Sequence, residues 1–406
     1  MGCRIALNRL ANNQFMATLL LIVIYLTFIS LGLPDALLGG GWPVIQAEYG
    51  VHYGFAGLVS MLITGGTILS SIFSNRILKK FGTGRVTLTS VAMTALALFG
   101  FAQAPSFVWL ILAALPLGLG GGAVDAGLNS FIADHYESRH MSWLHCFWGI
   151  GALSGPLLLS AILVRGGNWR SSYLLIASVQ AVLATALFFS LPLWTRISRR
   201  SIDTAAPVPT GHQPLFFPLK IRGVKIALLV YFCYCGIEAT MGLWGGSYLF
   251  KTRGMNPASA AAWVSLFYAS LTIGRFLTGF ITYKVADKNL IRAGCLVILS
   301  GVSLMLFNLP LFFTLSGFLL VGLGCAPIFP CMLHATPDRF GAANAQAIMG
   351  FQMAVAYIGA AILPPSFGFI ASAISLDLLP FFLLGCVTLL VFGSETLRNI
   401  FDHRKR

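Results

Sequence analysis

Three of the chain's 12 acidic residues, Asp35, Asp125 and Glu238, stand inside long apolar runs. A charge at the centre of a bilayer costs about 2.5–3.5 kcal/mol on insertion scales, so such a residue faces water, pairs with a cation or holds a proton. Desolvation favours the neutral form of a carboxyl group, which is the behaviour a proton-coupled carrier requires. Apart from Lys225 and Arg292, which stand at the very first residues of their spans, Arg275 is the only Lys or Arg within a predicted span, at its inner end, so an ion pair there can neutralise at most one of the three. The neighbours of these acids are informative as well. Asn129 lies four residues after Asp125 and shares its helical face, while Gly118 and Gly122 form a small-xxx-small seam on the same helix. His145, Trp148 and Gly149 stand at i, i+3 and i+4, which sets an imidazole and an indole on one wall; His145 reads equally well as an interfacial residue. Ser265, Tyr268, Thr272 and Arg275 make a polar stripe that serves either as helix glue or as cavity lining. Sugars are held by aromatic faces and planar polar groups, and Trp244, Asn129, Gln352 and Tyr357 can supply that kit alongside Glu238. Trp42 and Trp169 read instead as interfacial anchors.

The elements that must position these side chains follow from composition. With 57% hydrophobic and 9% charged residues, the chain departs from soluble domains, in which about 25% of residues are charged. Its solvent is mostly lipid. Apolar runs of about 20 residues recur with short polar breaks, which predicts an all-α membrane protein of twelve helices rather than a barrel of alternating strands. The predicted spans are 15–40, 51–74, 86–104, 107–133, 143–164, 171–194, 225–250, 258–283, 291–308, 310–335, 343–372 and 376–396. The longest polar stretch, Thr195 to Val224, reads as a cytoplasmic loop between an N-terminal six-helix bundle (1–194) and a C-terminal one (225–406) with a short basic tail. At 1.5 Å per residue, Asp35 lies about 30 Å along its span, towards the outer side; Glu238 lies roughly 20 Å in, and Asp125 about 27 Å from the outer surface.

A net charge of +14 raises the question of nucleic acid, and the placement of the basic residues answers it. With the N-terminus inside, 22 of the 26 Lys and Arg fall on the cytoplasmic side, and only Arg165, Arg170, Lys251 and Arg253 fall outside. This is the positive-inside pattern, with both termini cytoplasmic. The first apolar run ends in an acidic residue rather than a small-residue cleavage site, so it is expected to remain in the mature protein. "MGCRIA" lacks the Ser or Thr that a myristoylation signal wants at the sixth position. The eight cysteines contain no CxxC pair and read as packing residues, with neither metal nor cofactor implied. No GxxxxGK[ST] element supports an ATPase, so the energy must come from a gradient.

Segments recur at an offset near 204. "SLGLPDALLGGGWP" at Ser30–Pro43 parallels "YCGIEATMGLWGGS" at Tyr234–Ser247, "VSM" at Val59 parallels "VSL" at Val264, and "LGLGGG" at Leu117 parallels "VGLGCA" at Val321. Duplicated bundles are the common plan of secondary transporters. The basic turns "NRILKKFGTGR" (Asn75–Arg85) and "GRFLTGFITYKVADK" (Gly274–Lys288), with the topology, resemble the major facilitator superfamily. Asn75 stands where that family usually has an acid, while Arg76 and Arg275 are the residues to which the resemblance assigns gating. "GGGAVDAGLNSF", "LHCFWGIGALSGP", "GIEATMGLW" and "GRFLTGF" resemble the fucose-galactose-glucose proton symporter branch. That resemblance implies coupling roles for Asp35 and Asp125, although the branch often has Glu at the second position. The resulting expectation is a monomeric carrier of the cell inner membrane, importing a sugar or similar small polar solute with protons or sodium. A proton-driven efflux antiporter for amphipathic compounds and a non-transporting sensor on the same scaffold are the alternatives. An enzyme is not expected, since no metal cluster or activated nucleophile is evident.

Overall fold

The computed structural model describes residues 2–136, 138–202, 217–282, 284–307 and 309–402. The predicted loop around Pro209 and the basic tail after Asp402 lie outside them. The helices run in the order α1 (Gly2–Asp35), α2 (Leu37–Tyr49), α3 (Phe55–Phe81), α4 (Thr83–Ala102), α5 (Phe107–His135), α6 (Ser138–Val164) and α7 (Trp169–Ile202). After a short 3-10 turn at Phe217–Lys220 come α8 (Val224–Lys251), α9 (Pro257–Ile281), α10 (Asp287–Leu306), α11 (Leu311–Cys325), α12 (Ile328–His334), α13 (Thr336–Phe340), α14 (Ala342–Ala373) and α15 (Leu379–Asp402). Among the described residues there are 12 helical spans long and apolar enough to cross a membrane. Backbone groups in lipid must be satisfied within the segment, and continuous helices achieve this.

Two boundaries differ from the sequence reading. The first span runs from Met16 to Tyr49 instead of stopping at 40, because the "GGGWP" segment stays helical in α2 and the left-handed Gly50 (φ 61°) ends it. Asp35 is therefore interior to its span, about 29 Å along from Met16 and about 21 Å short of Tyr49, rather than towards the outer end. The sixth span likewise continues as helix to Ile202, past the expected break at Thr195.

The chain forms two compact units, one of Met1–Pro34, Gly65–Gly151 and Arg170–Thr210, the other of Asp35–Thr64, Ala152–Trp169 and Gly211–Arg406. In the first, Leu20, Ile24, Phe28, Leu128, Phe131 and Trp194 form an apolar core. Small residues then bring backbones together where lipid offers no hydrophobic drive. A methyl group added at Gly122 of α5 would lie 2.3 Å from the Thr67 carbonyl oxygen of α3, and Ser71 donates to the Gly122 carbonyl (3.3 Å), so the Gly118/Gly122 seam is a helix contact. In the second unit the same device joins α10 to α11, where a methyl on Gly301 would meet the Gly317 carbonyl at 2.8 Å and one on Gly317 would meet that of Gly301 at 2.6 Å.

A buried hydrogen-bond chain stabilises the break in the first span. Pro34 has no N–H to give the Ser30 carbonyl four residues earlier, which leaves that oxygen without its helical donor. The Gln180 amide of α7 supplies one (2.9 Å), and the Thr94 hydroxyl of α4 donates to the Gln180 oxygen (2.7 Å). Gln180 is 1% exposed. Gln180→Leu keeps the volume but takes the donor from the Ser30 carbonyl, at a cost of about 1–3 kcal/mol, while Thr94 keeps its bond to the Val91 carbonyl (2.9 Å). The variant should melt measurably lower, and an unchanged melting temperature would show that water can take over the bond to Ser30.

Candidate functional site

Glu238 projects from α8 into a compact polar knot. Tyr234, one turn earlier, donates its hydroxyl to the Glu238 carboxylate, and Arg275 of α9 reaches both, 3.2 Å from Glu238 Oε2 and 2.9 Å from the Tyr234 oxygen. The carboxylate and guanidinium are 13% and 14% exposed. The pair is sheltered, and each charge compensates the other where water is scarce. Arg275 is thus drawn inward onto Glu238 instead of standing at a helix end. The ion pair weighed from sequence for one of the three acids is this one.

Tyr268 belongs to the same neighbourhood. Its hydroxyl lies within electrostatic reach of Glu238, Arg275 and Asp35, so the polar stripe of α9 faces two of the three acids. Gly242 makes the room, since a methyl group there would sit 2.1 Å from the Tyr268 oxygen. Asp35 itself is exposed at the end of α1, beside the buried Ala36 and Leu37 of the next helix. Ser265, at the other end of the stripe, donates to the Leu153 carbonyl, and Thr272 bonds back to Tyr268 within its own helix (2.8 Å). Those two hydroxyls serve helix packing.

Asp125 occupies the first unit. Asn129 donates its amide to Asp125 Oδ1 and to the Asp125 carbonyl, both at 2.9 Å, so the i, i+4 spacing does place acid and amide on one face. Both residues are half-buried. His145 is also half-buried, with its ring edge-on to Phe28 at 6.1 Å, and Trp148 packs beside the core of this unit. The same unit holds an aromatic group that the sequence reading did not single out. Tyr25 stacks on Phe147 (4.4 Å between centroids) and bonds His140 Nδ1 at 2.7 Å, while Tyr136 sits edge-on to His140. Tyr136 lies outside the spans, where burial and the neighbouring Tyr25 push its phenol up to about 12.

The remaining candidates separate by burial. Trp244 is 0% exposed, its indole N–H donates to the Pro364 carbonyl (2.7 Å) and Phe367 packs edge-on to it, so in this arrangement neither ring face is open to a solute. Gln352, 1% exposed, accepts from Thr336 (3.1 Å) and ties α13 to α14. Tyr357 is half-buried on α14, and Arg76 is exposed near the end of α3. Trp42 and Trp169 are 0% and 2% exposed, whereas the interfacial reading needed both at a surface; the Trp169 indole donates to Glu48 at 2.6 Å. Tyr234 was missed although its spacing to Glu238 carried the signal, and Gln180 was missed although Pro34 announces an orphaned carbonyl.

Comparison with known proteins agrees with this architecture. A family model described as Major Facilitator Superfamily matches residues 20–364. The chain is 26% identical over 274 residues to the glucose/mannose transporter GlcP of Bacillus subtilis, covering 66% of this chain and 67% of that one. It is 25% identical over 407 residues to bypass of stop codon protein 6 of Saccharomyces cerevisiae, covering 91% and 79%. Among solved structures, a bacterial homologue of the human lysosomal transporter Spinster, in an inward-facing and occupied conformation, superposes with a TM-score of 0.72 at 13% identity, covering 94% and 96%.

Proposed function

The chain belongs to the Major Facilitator Superfamily of transporters, and from that premise we propose that it carries a sugar or similar small polar solute with protons, by alternating access. The observation that carries this reading is the division of labour among its membrane acids. Glu238 is compensated by Arg275, so protonating it would leave a guanidinium unbalanced. Asp125 accepts from the neutral Asn129 amide, a bond that a protonated carboxyl can accept as well, so this contact survives proton exchange. Asp35, exposed and within reach of Tyr268, is the second exchanger. The relative named for glucose and mannose supports a sugar, and the half-buried aromatics Tyr25, Phe147 and Trp148 supply ring faces for one. The positive-inside count supports an orientation with both termini in the cytoplasm, and the repeated segments support a six-plus-six duplication.

A panel of neutral hexoses and polyols added to the purified carrier tests the solute. Any ligand that binds only the folded state stabilises it, by about 2.7 kcal/mol at one hundred times Kd. At least one sugar should raise the melting temperature and be accumulated by proteoliposomes under an imposed proton gradient. If no sugar shifts the melting temperature while lipophilic cations do, the efflux antiporter takes this reading's place.

A further inference from the structure

Arg275 holds its two partners on α8 unequally. It lies 2.9 Å from the Tyr234 oxygen but 3.2 Å from Glu238 Oε2, while Tyr234 donates its hydroxyl to that same carboxylate oxygen. A guanidinium and a carboxylate at full strength approach to about 2.7–2.9 Å. The ion pair is therefore loose for so sheltered a place, and the phenol is the tighter anchor of Glu238. A hydroxyl donates to a carboxylate and to the carbonyl oxygen of a protonated carboxyl alike, so Tyr234 can keep its bond when Glu238 gains a proton. Arg275, which stays charged throughout, then requires another anion.

The groups that face this pair set its charge. Tyr234 and Cys235 flank Glu238 on α8, Arg275 and Tyr268 come from α9, Cys325 from the end of α11, and Asp35 reaches Tyr268 from the end of α1. All of them belong to one compact unit. The phenols and thiols are neutral, which leaves one guanidinium against two carboxylates. A third carboxylate arriving here would build up negative charge where water is scarce, unless a proton came with it. Glu238 is placed to take that proton, because the newcomer assumes its role towards Arg275. The planar guanidinium matches both oxygens of a carboxylate, and at 13% and 14% exposure the pair is sheltered without being sealed. On the reading of this chain as a proton-coupled carrier of a small polar solute, we infer that the solute is a sugar acid. Its carboxylate replaces Glu238 on Arg275 while Glu238 takes a proton from water, so one anion and one proton bind together.

Glucuronate and glucose differ at one carbon, a carboxylate in place of a hydroxymethyl group, so the two sugars isolate the charge. Their binding to the purified full chain is measured by calorimetry and by melting temperature, at constant ionic strength and at several values of pH between about 8 and 6. With one proton taken up for each carboxylate bound, the affinity for glucuronate relative to glucose should rise about tenfold for each unit that the pH falls. Glu238→Gln presents an amide in place of the protonated acid and leaves Arg275 without its anion. This variant should bind glucuronate more tightly than the parent and without the pH dependence, and glucuronate should restore much of its melting temperature, a gain that damage to the fold cannot imitate. Glu238→Gln combined with Arg275→Gln should lose the preference for glucuronate altogether. If glucose binds as tightly as glucuronate at every pH, the sugar acid is overturned and the carrier of a neutral sugar stands; if neither binds, both fall. A preference for glucuronate that persists in the double variant, or that ignores pH in the parent, would overturn the exchange at Arg275.

Discussion

Asp125→Asn should leave the carrier able to equilibrate its solute but unable to concentrate it. One elementary charge moving through 100 mV is worth about 2.3 kcal/mol, so a one-proton symporter can concentrate a neutral solute about 50-fold at that potential. The variant should fall to the equilibrium ratio, a loss of nearly the whole factor. An amide has the shape of the protonated acid and its oxygen can still accept from Asn129, which now donates to Asp125 Oδ1 at 2.9 Å, so folding and solute binding should survive. Counterflow exchange, which needs binding and reorientation but no net proton movement, should remain close to that of the parent. Asp125→Glu should restore accumulation in part. Gradient-driven accumulation undiminished in Asp125→Asn would take coupling away from this residue and leave Asp35 to be tested in the same assay.

How much of this was legible beforehand depends on the range of the interaction concerned. Helix number and type come from local hydropathy, and twelve spans could be read because lipid demands the same uninterrupted apolar length of each. Contacts within one helix were legible too, since Asp125 with Asn129 follows from the 3.6-residue period. The end of the first span was not, because three glycines and Pro43 have loop-like propensities that burial overrides: Gly39, Gly40, Gly41 and Pro43 are all buried in helix α2. Partners from distant helices were the least accessible. Nothing in the sequence says that Trp244 gives its N–H to Pro364 rather than to a solute, or that Arg275 turns inward to Glu238. Gln180 lies between these cases. Pro34 predicts that the Ser30 carbonyl needs a donor, but only the fold shows which of the chain's polar side chains supplies it.

The Glu238–Arg275 pair carries the second large effect, and its size follows from burial. With both groups about seven-eighths covered, solvent screens them little, and removing one partner of such a pair costs about 3–5 kcal/mol because the other is left charged in a sheltered site. Arg275→Gln and Glu238→Gln should each lower the melting temperature steeply. The double variant Glu238→Gln with Arg275→Gln should recover most of the loss, since two amides can bond each other and no charge is stranded. The coupling energy from that cycle separates the pair from effects either substitution has alone. Tyr234→Phe should cost less, about 1.5–3 kcal/mol, because it removes hydrogen bonds to charged groups and leaves the ion pair in place. Function then divides two roles that the geometry allows. If Glu238 accepts a hydroxyl from the solute, the stable double variant should lose the sugar-induced rise in melting temperature; if the pair only holds α8 to α9, it should keep that rise and transport normally. Additive losses, with no recovery in the double variant, would show that the two charges do not depend on each other and would remove the pair from the account of this site.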